Sequence, residues 1–566
     1  MMKLAELRTV VRPKVLRSDG MAGLVLGVES VPDGLASGLL AGVNPVAGLY
    51  AYMVGAFSAA FFTSTAFMAV QGTGAMAIIV ADVGLDSIGD DPARALFTLS
   101  IVTGVVMVVA GLLKLGVMLR FVPNSVMVGF LSAVGINIVL GQLPDFTGYA
   151  AEGSNRVART FDLLVHFWRV DVWTLTVGVV TIVLIVVLRR TRLGALGMVV
   201  AIVLGSLLAA LFGVFDKTVQ LVGEIADVPG SLPLPMLPSL SDVPALLIPA
   251  LSLAFVGLVQ GAGVTSAFPN RDGSPSDASQ DFVGQGVGNV ASGFFQGMPV
   301  GGSMSASSLV VSAGARSRLA LIYTGVVMAV VIVLFGGAVE HIAMPALAGL
   351  LIVVGVETIK PAEIVNVYRT GRIQAGTMVV TLLLTLLIPL QYAVLVGVGI
   401  STLLYVLRQS EQVFIKQLIF EGDDLTRVRR ADPPDVVGPK EVVVLQPFGS
   451  LFYAGAPVFE AELPEVTEQS VGSVVIIRLE GKVDVGSTLL TVLGDYARSL
   501  QEVRSKLAIV TDSDRVTQQL DTTGAADVIG RQNIRLQTEY VYEATMQLVT
   551  DSRQWVEDRK QSGDET

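Results

Sequence analysis

The chain has 566 residues, a net charge of −10, a mean hydropathy of +0.68 and only 15% charged residues. Soluble globular domains carry about 25% charged residues, so this balance points to an integral membrane protein, and its acidity argues against a nucleic-acid partner. Cysteine is absent, which excludes disulfides and thiolate metal sites; the 2 histidines, His166 and His341, are too few for a histidine-cluster metalloenzyme.

Apolar runs fill roughly the first 410 residues, too many for one signal peptide. In chain order, 20–41, 46–62, 71–83, 95–113, 121–141, 172–188, 195–214, 244–268, 283–297, 304–313, 319–338 and 344–359 each read as one pass, and 376–407 can hold two short ones. The expectation is a multi-span α-helical protein with about fourteen spans. Lys3, Arg8, Arg12, Lys14 and Arg17 precede the first span, which places the N-terminus in the cytoplasm. Lys114, Arg120, Arg189, Arg190, Arg192, Arg316, Arg318, Arg369, Arg372 and Arg408 then follow even-numbered spans, while Asp82, Asp86, Asp90 and Asp91 occupy an outer loop. The loop with Arg156, Arg159 and Arg169 is the exception. A plasma-membrane protein with both termini cytoplasmic follows from this pattern.

After residue 410 the composition changes. "EGDDLTRVRRADPPD" opens a charged linker, and beyond it β-branched runs such as "SVVIIRLEG" alternate with helix-like stretches such as "STLLTVLGDYARSLQEV". Alternating strands and helices predict a small α/β domain. The expected organisation is a cytoplasmic segment 1–18, a transmembrane domain 19–410, a linker 411–438 and a cytoplasmic α/β domain 439–560.

Two segments are too short to cross a bilayer. "QGTGAMAIIVADV" (71–83) and the stretch from Gly302 to residue 313 both begin with glycine and hydroxyl residues and then turn apolar. They are the third and tenth of the expected spans, corresponding places in two halves. Paired short segments of this kind point to a transporter's substrate site built from broken helices. The first amides of a half-helix lack partners and carry roughly half a positive charge, so two opposed starts suit an anion. Thr73, Gly74, Ala75 and Met76 on one side, and Gly302, Ser303, Met304, Ser305, Ala306 and Ser307 on the other, are the candidate ligand residues. Small residues also suit close helix packing, the plainer reading of either stretch alone.

"VPDGLASGLLAGVNPVAGLYA" (31–51), "LLKLGVMLRFVPNSVMVGFLSAVGINIVLGQL" (112–143) and "VGQGVGNVASGFFQGMPVGGSMSASS" (283–308) together resemble the SulP family of anion transporters, which includes sulfate permeases, bicarbonate transporters and prestin-like exchangers. The C-terminal segment resembles a STAS domain. The resemblance implies inverted repeats of seven spans, core and gate domains, a homodimer, elevator-type secondary active transport of a small inorganic anion, and a cytoplasmic regulatory partner for the STAS-like domain. No cofactor is expected beyond a coupling sodium ion or proton. A symporter of a small organic acid or nucleobase on the same fold, or an uncoupled anion channel, are the alternatives. No phosphate-binding loop or metal-ligand cluster argues for ATP-driven transport or catalysis.

Set against the family, Ala306 stands where an arginine is common, Gln260 where a glutamate is common, and Asp33 where glutamine is frequent. Without the arginine, helix dipoles hold the anion nearly alone, which favours weaker binding and a monovalent or different substrate. An ionisable residue inside a membrane is costly and usually functional. Asp33, with Glu29, is the candidate for the coupling ion, Gln260 serving only as a hydrogen-bonding group; capping of a helix broken at Pro32 is the structural alternative for Asp33. In "LEGKVDVGSTLLTVL", Ser487 is a candidate regulatory phosphorylation site at a helix start, where helix capping accounts for a serine equally well.

Overall fold

A computed structural model describes residues 13–561 apart from 117–122, 154, 192, 195, 216, 227–229, 271–272, 390–391, 393–395, 397–398, 400–402, 404–412, 422–426 and 452. Lys3, Arg8, Arg12, Arg120, Arg192, Arg408 and most of the final pass read into 376–407 lie outside these residues. The chain divides into two compact units, Met1–Ser401 and Thr402–Thr566.

The first unit is helical: α1 (Pro13–Leu40), α2 (Pro45–Ala59), strand β1 (Ala69–Gln71), α3 (Gly74–Val83), α4 (Pro92–Leu112), α5 (Asn124–Thr147), α6 (Arg156–Val165), α7 (Val172–Leu188), α8 (Leu196–Val214), α9 (Val243–Ala267), α10 (Ala278–Phe294), strand β2 (Gly301–Ser303), α11 (Met304–Ser312), α12 (Leu319–Val339), α13 (Met344–Thr358), α14 (Pro361–Thr370) and α15 (Arg372–Leu387). Among the described residues, 6 helices are long and apolar enough to cross a membrane. Leu112, Val183, Leu207 and Leu334 are exposed large apolar residues on such helices or on the shorter α7, as lipid-facing surfaces require. The helices form two bundles. In one, α1–α4 pack with α9–α12; in the other, α5, α7 and α8 pack with α13 and α15. Helices from both halves of the chain thus share each bundle.

The second unit has a six-stranded sheet in the order β4–β3–β5–β6–β7–β8, from β3 (Phe414–Glu421), β4 (Arg427–Ala431), β5 (Val442–Phe448), β6 (Val474–Leu479), β7 (Lys506–Thr511) and β8 (Ile534–Leu536). β5 through β8 are parallel, and β3 is antiparallel to both neighbours. Side chains alternate across the strands, so β6 sends Val475, Ile477 and Leu479 to one core and Val474 and Ile476 to another. The first core is closed by α16 (Ala456–Ala461), α17 (Ser487–Glu502), α18 (Asp514–Thr522) and α19 (Ala525–Ile529), the second by α20 (Glu543–Gln561).

Candidate anion site

Both short helices begin at a hydroxyl cap in extended backbone. Thr73 (φ −121°, ψ 151°) accepts from the Met76 N–H at 3.4 Å, and Ser303 (φ −91°, ψ 119°) accepts from the Ala306 N–H at 3.3 Å. The strand before each cap pairs with the other, a feature the sequence reading did not foresee. Ala69 faces Ser303, Val70 faces Gly302 and Gln71 faces Gly301 in an antiparallel ribbon. Because the strands run oppositely, α3 and α11 leave the ribbon in opposite directions, and both helix starts remain at it. Their first-turn amides have no carbonyl four residues back, so two positive dipole ends converge on one small region.

Non-helical backbone inside a membrane must find hydrogen-bond partners in the protein. Here α10 supplies most of them from one polar row. The Asn289 carboxamide accepts from the Val300 N–H at 2.9 Å and donates to the Val300 carbonyl at 2.6 Å, which pairs both backbone groups of that residue as a neighbouring strand would. Gln285 Oε1 accepts from the Gly302 N–H at 2.9 Å, and Ser292 Oγ donates to the Met298 carbonyl at 2.7 Å. One turn before Gln285, Asp281 is 1% exposed and accepts from the N–H and hydroxyl groups of both Ser64 and Thr65, ahead of β1, and from Thr265 Oγ1 on α9. On the β1 side, Tyr52 donates to the Gly72 carbonyl at 2.7 Å, and Gln71 Nε2 donates to Ser30 Oγ at 2.7 Å. The spacing of Asp281, Gln285, Asn289 and Ser292 puts all four on one helical face. That row of polar side chains, spaced three and four residues apart, is the sequence signal that could have assigned them a role.

Glycine lets α9 lie against the ribbon. A Cβ on Gly302 would stand 3.0 Å from the Gly261 Cα, and one on Gly261 would stand 2.2 Å from Gln285 Nε2. On the same helix, Gln260 Oε1 accepts from Thr73 Oγ1 at 3.0 Å, so Gln260 meets the cap of α3 directly.

The candidate residues divide by exposure. Thr73 and Gly74 are half-buried and Met304 and Ser305 exposed, whereas Ala75, Met76, Gly302, Ser303, Ala306 and Ser307 are buried. Ser303 and Ser305 hydroxyls lie 3.1 Å apart. Ser307 Oγ is engaged by the Ala69 N–H at 3.0 Å, and Ala306 packs in an apolar cluster with Ala22, Leu26, Ala69 and Val310. These two residues thus brace the ribbon from within the protein. Glu29 and Asp33 lie one turn apart on α1, Glu29 buried and Asp33 half-buried. Arg189, which forms an ion pair with Glu357, is within electrostatic range of both.

In the second unit, Ser487 is exposed and is the first residue of α17. The expected alternative role as a cap is not taken: Gly486 holds the N-cap position with no side-chain hydrogen bond. Asp484, just before it, instead pairs with Arg515 at 2.8 Å and accepts from Gln519 Nε2 at 2.6 Å, which ties the turn to α18. Among the described residues, no group of three or more His, Cys, Asp or Glu side chains is placed to hold a metal.

Known proteins share this architecture. The chain superimposes on murine solute carrier 26 family member A9, an anion transporter solved in the inward-facing state, with a TM-score of 0.82 at 17% identity, covering 97% of this chain and 93% of that one. The transmembrane domain of a cyanobacterial bicarbonate transporter, BicA, gives a TM-score of 0.60 at 25% identity over 69% of this chain and 98% of that one. In sequence, the chain is 26% identical over 527 residues to the probable sulfate transporter Rv1739c of Mycobacterium tuberculosis, covering 92% of this chain and 93% of that protein. It is 28% identical over 426 residues to the bicarbonate transporter BicA of a Picosynechococcus strain, covering 73% and 74%. The STAS domain model matches residues 433–540, the sheet and most of its helices. The sulfate permease family model matches residues 16–381, which takes in both half-helices, the ribbon between them and the α10 stripe that holds it: the chain belongs to the sulfate permease family.

Proposed function

We propose that this protein carries a small inorganic anion of the sulfate or bicarbonate class across the plasma membrane by secondary active, elevator-type transport. The observation that carries the reading is the β1–β2 ribbon, which brings the starts of α3 and α11 together with their first-turn amides lacking helical partners. Two dipole ends in a low-dielectric setting attract negative charge, and the division of the helices into two bundles gives one body that can carry the site and another that can stay still. With Ala306 packed in an apolar cluster, the positive pole comes from backbone, so a singly charged anion such as bicarbonate is the better fit than sulfate. Asp33, with Glu29, is the candidate for the coupling proton or sodium ion. The same reading makes the protein a homodimer with cytoplasmic termini, its STAS domain open to a regulatory partner and to modification at Ser487.

Uptake of radiolabelled bicarbonate and sulfate into proteoliposomes, under imposed proton or sodium gradients, tests this. Saturable accumulation of one inorganic anion beyond its electrochemical equilibrium is the expected result. Accumulation only of a dicarboxylate or uracil would replace the substrate class, and a flux that follows membrane potential without accumulation would make the protein a channel.

A further inference from the structure

A cavity of about 580 Å³ opens where α1, α3, α5 and α15 end, lined among others by Leu40, Asp82, Gly141, Asp145, Arg156 and Arg159. In the topology proposed above this is the outer mouth. Thus α3 begins at the anion site and finishes at this cavity. Asp82, in its last turn, forms an ion pair with Arg156 Nη1 at 2.8 Å, the two side chains being only 16% and 20% exposed. Arg156 is the first residue of α6, which packs against α5 of the second bundle. The pair therefore ties a half-helix of one bundle to the other bundle.

Two apolar side chains, Leu40 in the cavity lining and Ile138 beside the lining residue Asn137, reach from this cavity to the start of α3. A Cβ on Gly74 would lie 2.4 Å from Ile138 Cδ1 and 3.9 Å from Leu40 Cδ2, so these groups sit directly against the start of α3. Ile138 is 1% exposed. One turn further along α5, a Cβ on Gly141 would lie 3.6 Å from both Leu40 Cδ1 and Arg156 Nε. Site, apolar plug and ion pair thus form one continuous column.

We propose that Arg156 and Asp82 form a latch that holds the outer end of this route shut, and that the pair parts when the anion site turns outward. The latch rests on the alternating-access reading above. A partly buried ion pair resists separation more than an exposed one, because each charge left behind has little water to replace its partner. Asp82 and Arg156 are thereby positioning residues: they set which side the site faces, without touching the anion.

The chain has no cysteine, so a single Ile138→Cys reports on the plug. In proteoliposomes of determined sidedness and without substrate, a membrane-impermeant thiol reagent applied from outside should modify Cys at 138 slowly. Added Asp82→Asn or Arg156→Gln should raise the rate about tenfold, the shift that about 1.4 kcal/mol produces in a two-state equilibrium. Either single variant suffices if the other misfolds. The charge swap, Asp82→Arg with Arg156→Asp, should return the rate toward the parent. Equal rates in parent and single variants overturn the latch, as does a swap that labels as fast as they do. If sulfate or bicarbonate alters labelling of the parent while latch variants label like it, the transport reading stands and the latch falls.

Discussion

Thr73 Oγ1 and Gln260 Oε1, 3.0 Å apart, join the cap of α3 to the C-terminal half of α9, so the hydroxyl that receives the Met76 amide also donates its own proton to Gln260. Thr73→Val removes both contacts while keeping shape. Loss of the cap costs about 1 kcal/mol and leaves the Gln260 oxygen without its donor. The expected outcome is a lower melting temperature and a raised KM for the transported anion, with Gln260→Leu raising KM in the same direction. Unchanged KM in both variants would separate this contact from substrate binding.

The carboxamide of Asn289 is a second peptide group for Val300, supplying one acceptor and one donor at 0% exposure. Asn289→Leu leaves a buried N–H and a buried carbonyl unpaired, a loss of about 2 to 6 kcal/mol when each costs about 1 to 3. Asn289→Asp keeps the acceptor but sets an anionic oxygen against the Val300 carbonyl and adds negative charge beside the ribbon. Both variants should melt lower than the parent, and both should lose the stabilisation that a bound anion confers by mass action. Thermal unfolding with and without 10-fold changes in bicarbonate or sulfate concentration measures it, on about the 1.4 kcal/mol scale per decade for a saturating ligand.

Much of this site was legible because half-helices leave a strong local mark. Small and hydroxyl residues ahead of "AMAIIVADV" and of "LVVS" announce a cap and then an apolar run, and corresponding places in the two halves suggest a shared purpose. The ribbon was not legible: Ala69–Gln71 and Gly301–Ser303 are three residues each, too short for alternation to show. A helix turns about 100° per residue, which aims Ser307 and Ala306, candidates alongside Ser303, at Ala69 and at the Ala22–Leu26 side of α1, a direction the sequence does not display. The capping alternative for Ser487 fails for a related reason. Capping needs the residue just before the first helical one, and a single-residue shift gave that place to Gly486.

In the second unit, Arg478 is 1% exposed, its Nη1 lying 2.7 Å from Glu480 and 3.3 Å from Gln446 Oε1, with the guanidinium carbon 4.0 Å from the centre of the Tyr542 ring. Its Nε and Nη2 have no hydrogen-bond partner among the described residues. The two partners should therefore respond unequally. Arg478→Met removes the orphan donors along with the charge, leaving Glu480, one-third exposed, to water; the expected change is within about 1 kcal/mol. Glu480→Gln strands a buried cation and should cost about 2 kcal/mol, less than a fully buried pair because water reaches the glutamate. Hydrogen exchange of the β6 amides in the full-length protein reads both: faster in Glu480→Gln, near parental in Arg478→Met. The reverse order would mean that stacking on Tyr542, not the ion pair, keeps Arg478 in place.

Asp33 and Glu29 lie one turn apart on α1, and no hydrogen bond or ion pair is seen at either carboxylate among the described residues. A helix cap would show Asp33 accepting a backbone amide; instead α1 runs through Pro32 without interruption from Pro13 to Leu40, so the capping alternative lacks its hydrogen bond. A carboxylate free of structural duty in a membrane helix can take up and release a cation in each cycle. Asp33→Asn keeps the shape and removes the charge, so accumulation driven by a proton or sodium gradient should vanish while exchange of labelled for unlabelled anion continues. Glu29→Gln, more deeply buried, should leave exchange intact and reduce driven uptake by a smaller factor. The two activities are measured in the same proteoliposomes, which makes each variant its own control for folding. Gradient-driven uptake at the parental rate in Asp33→Asn would remove Asp33 from coupling and leave Glu29 as the remaining candidate.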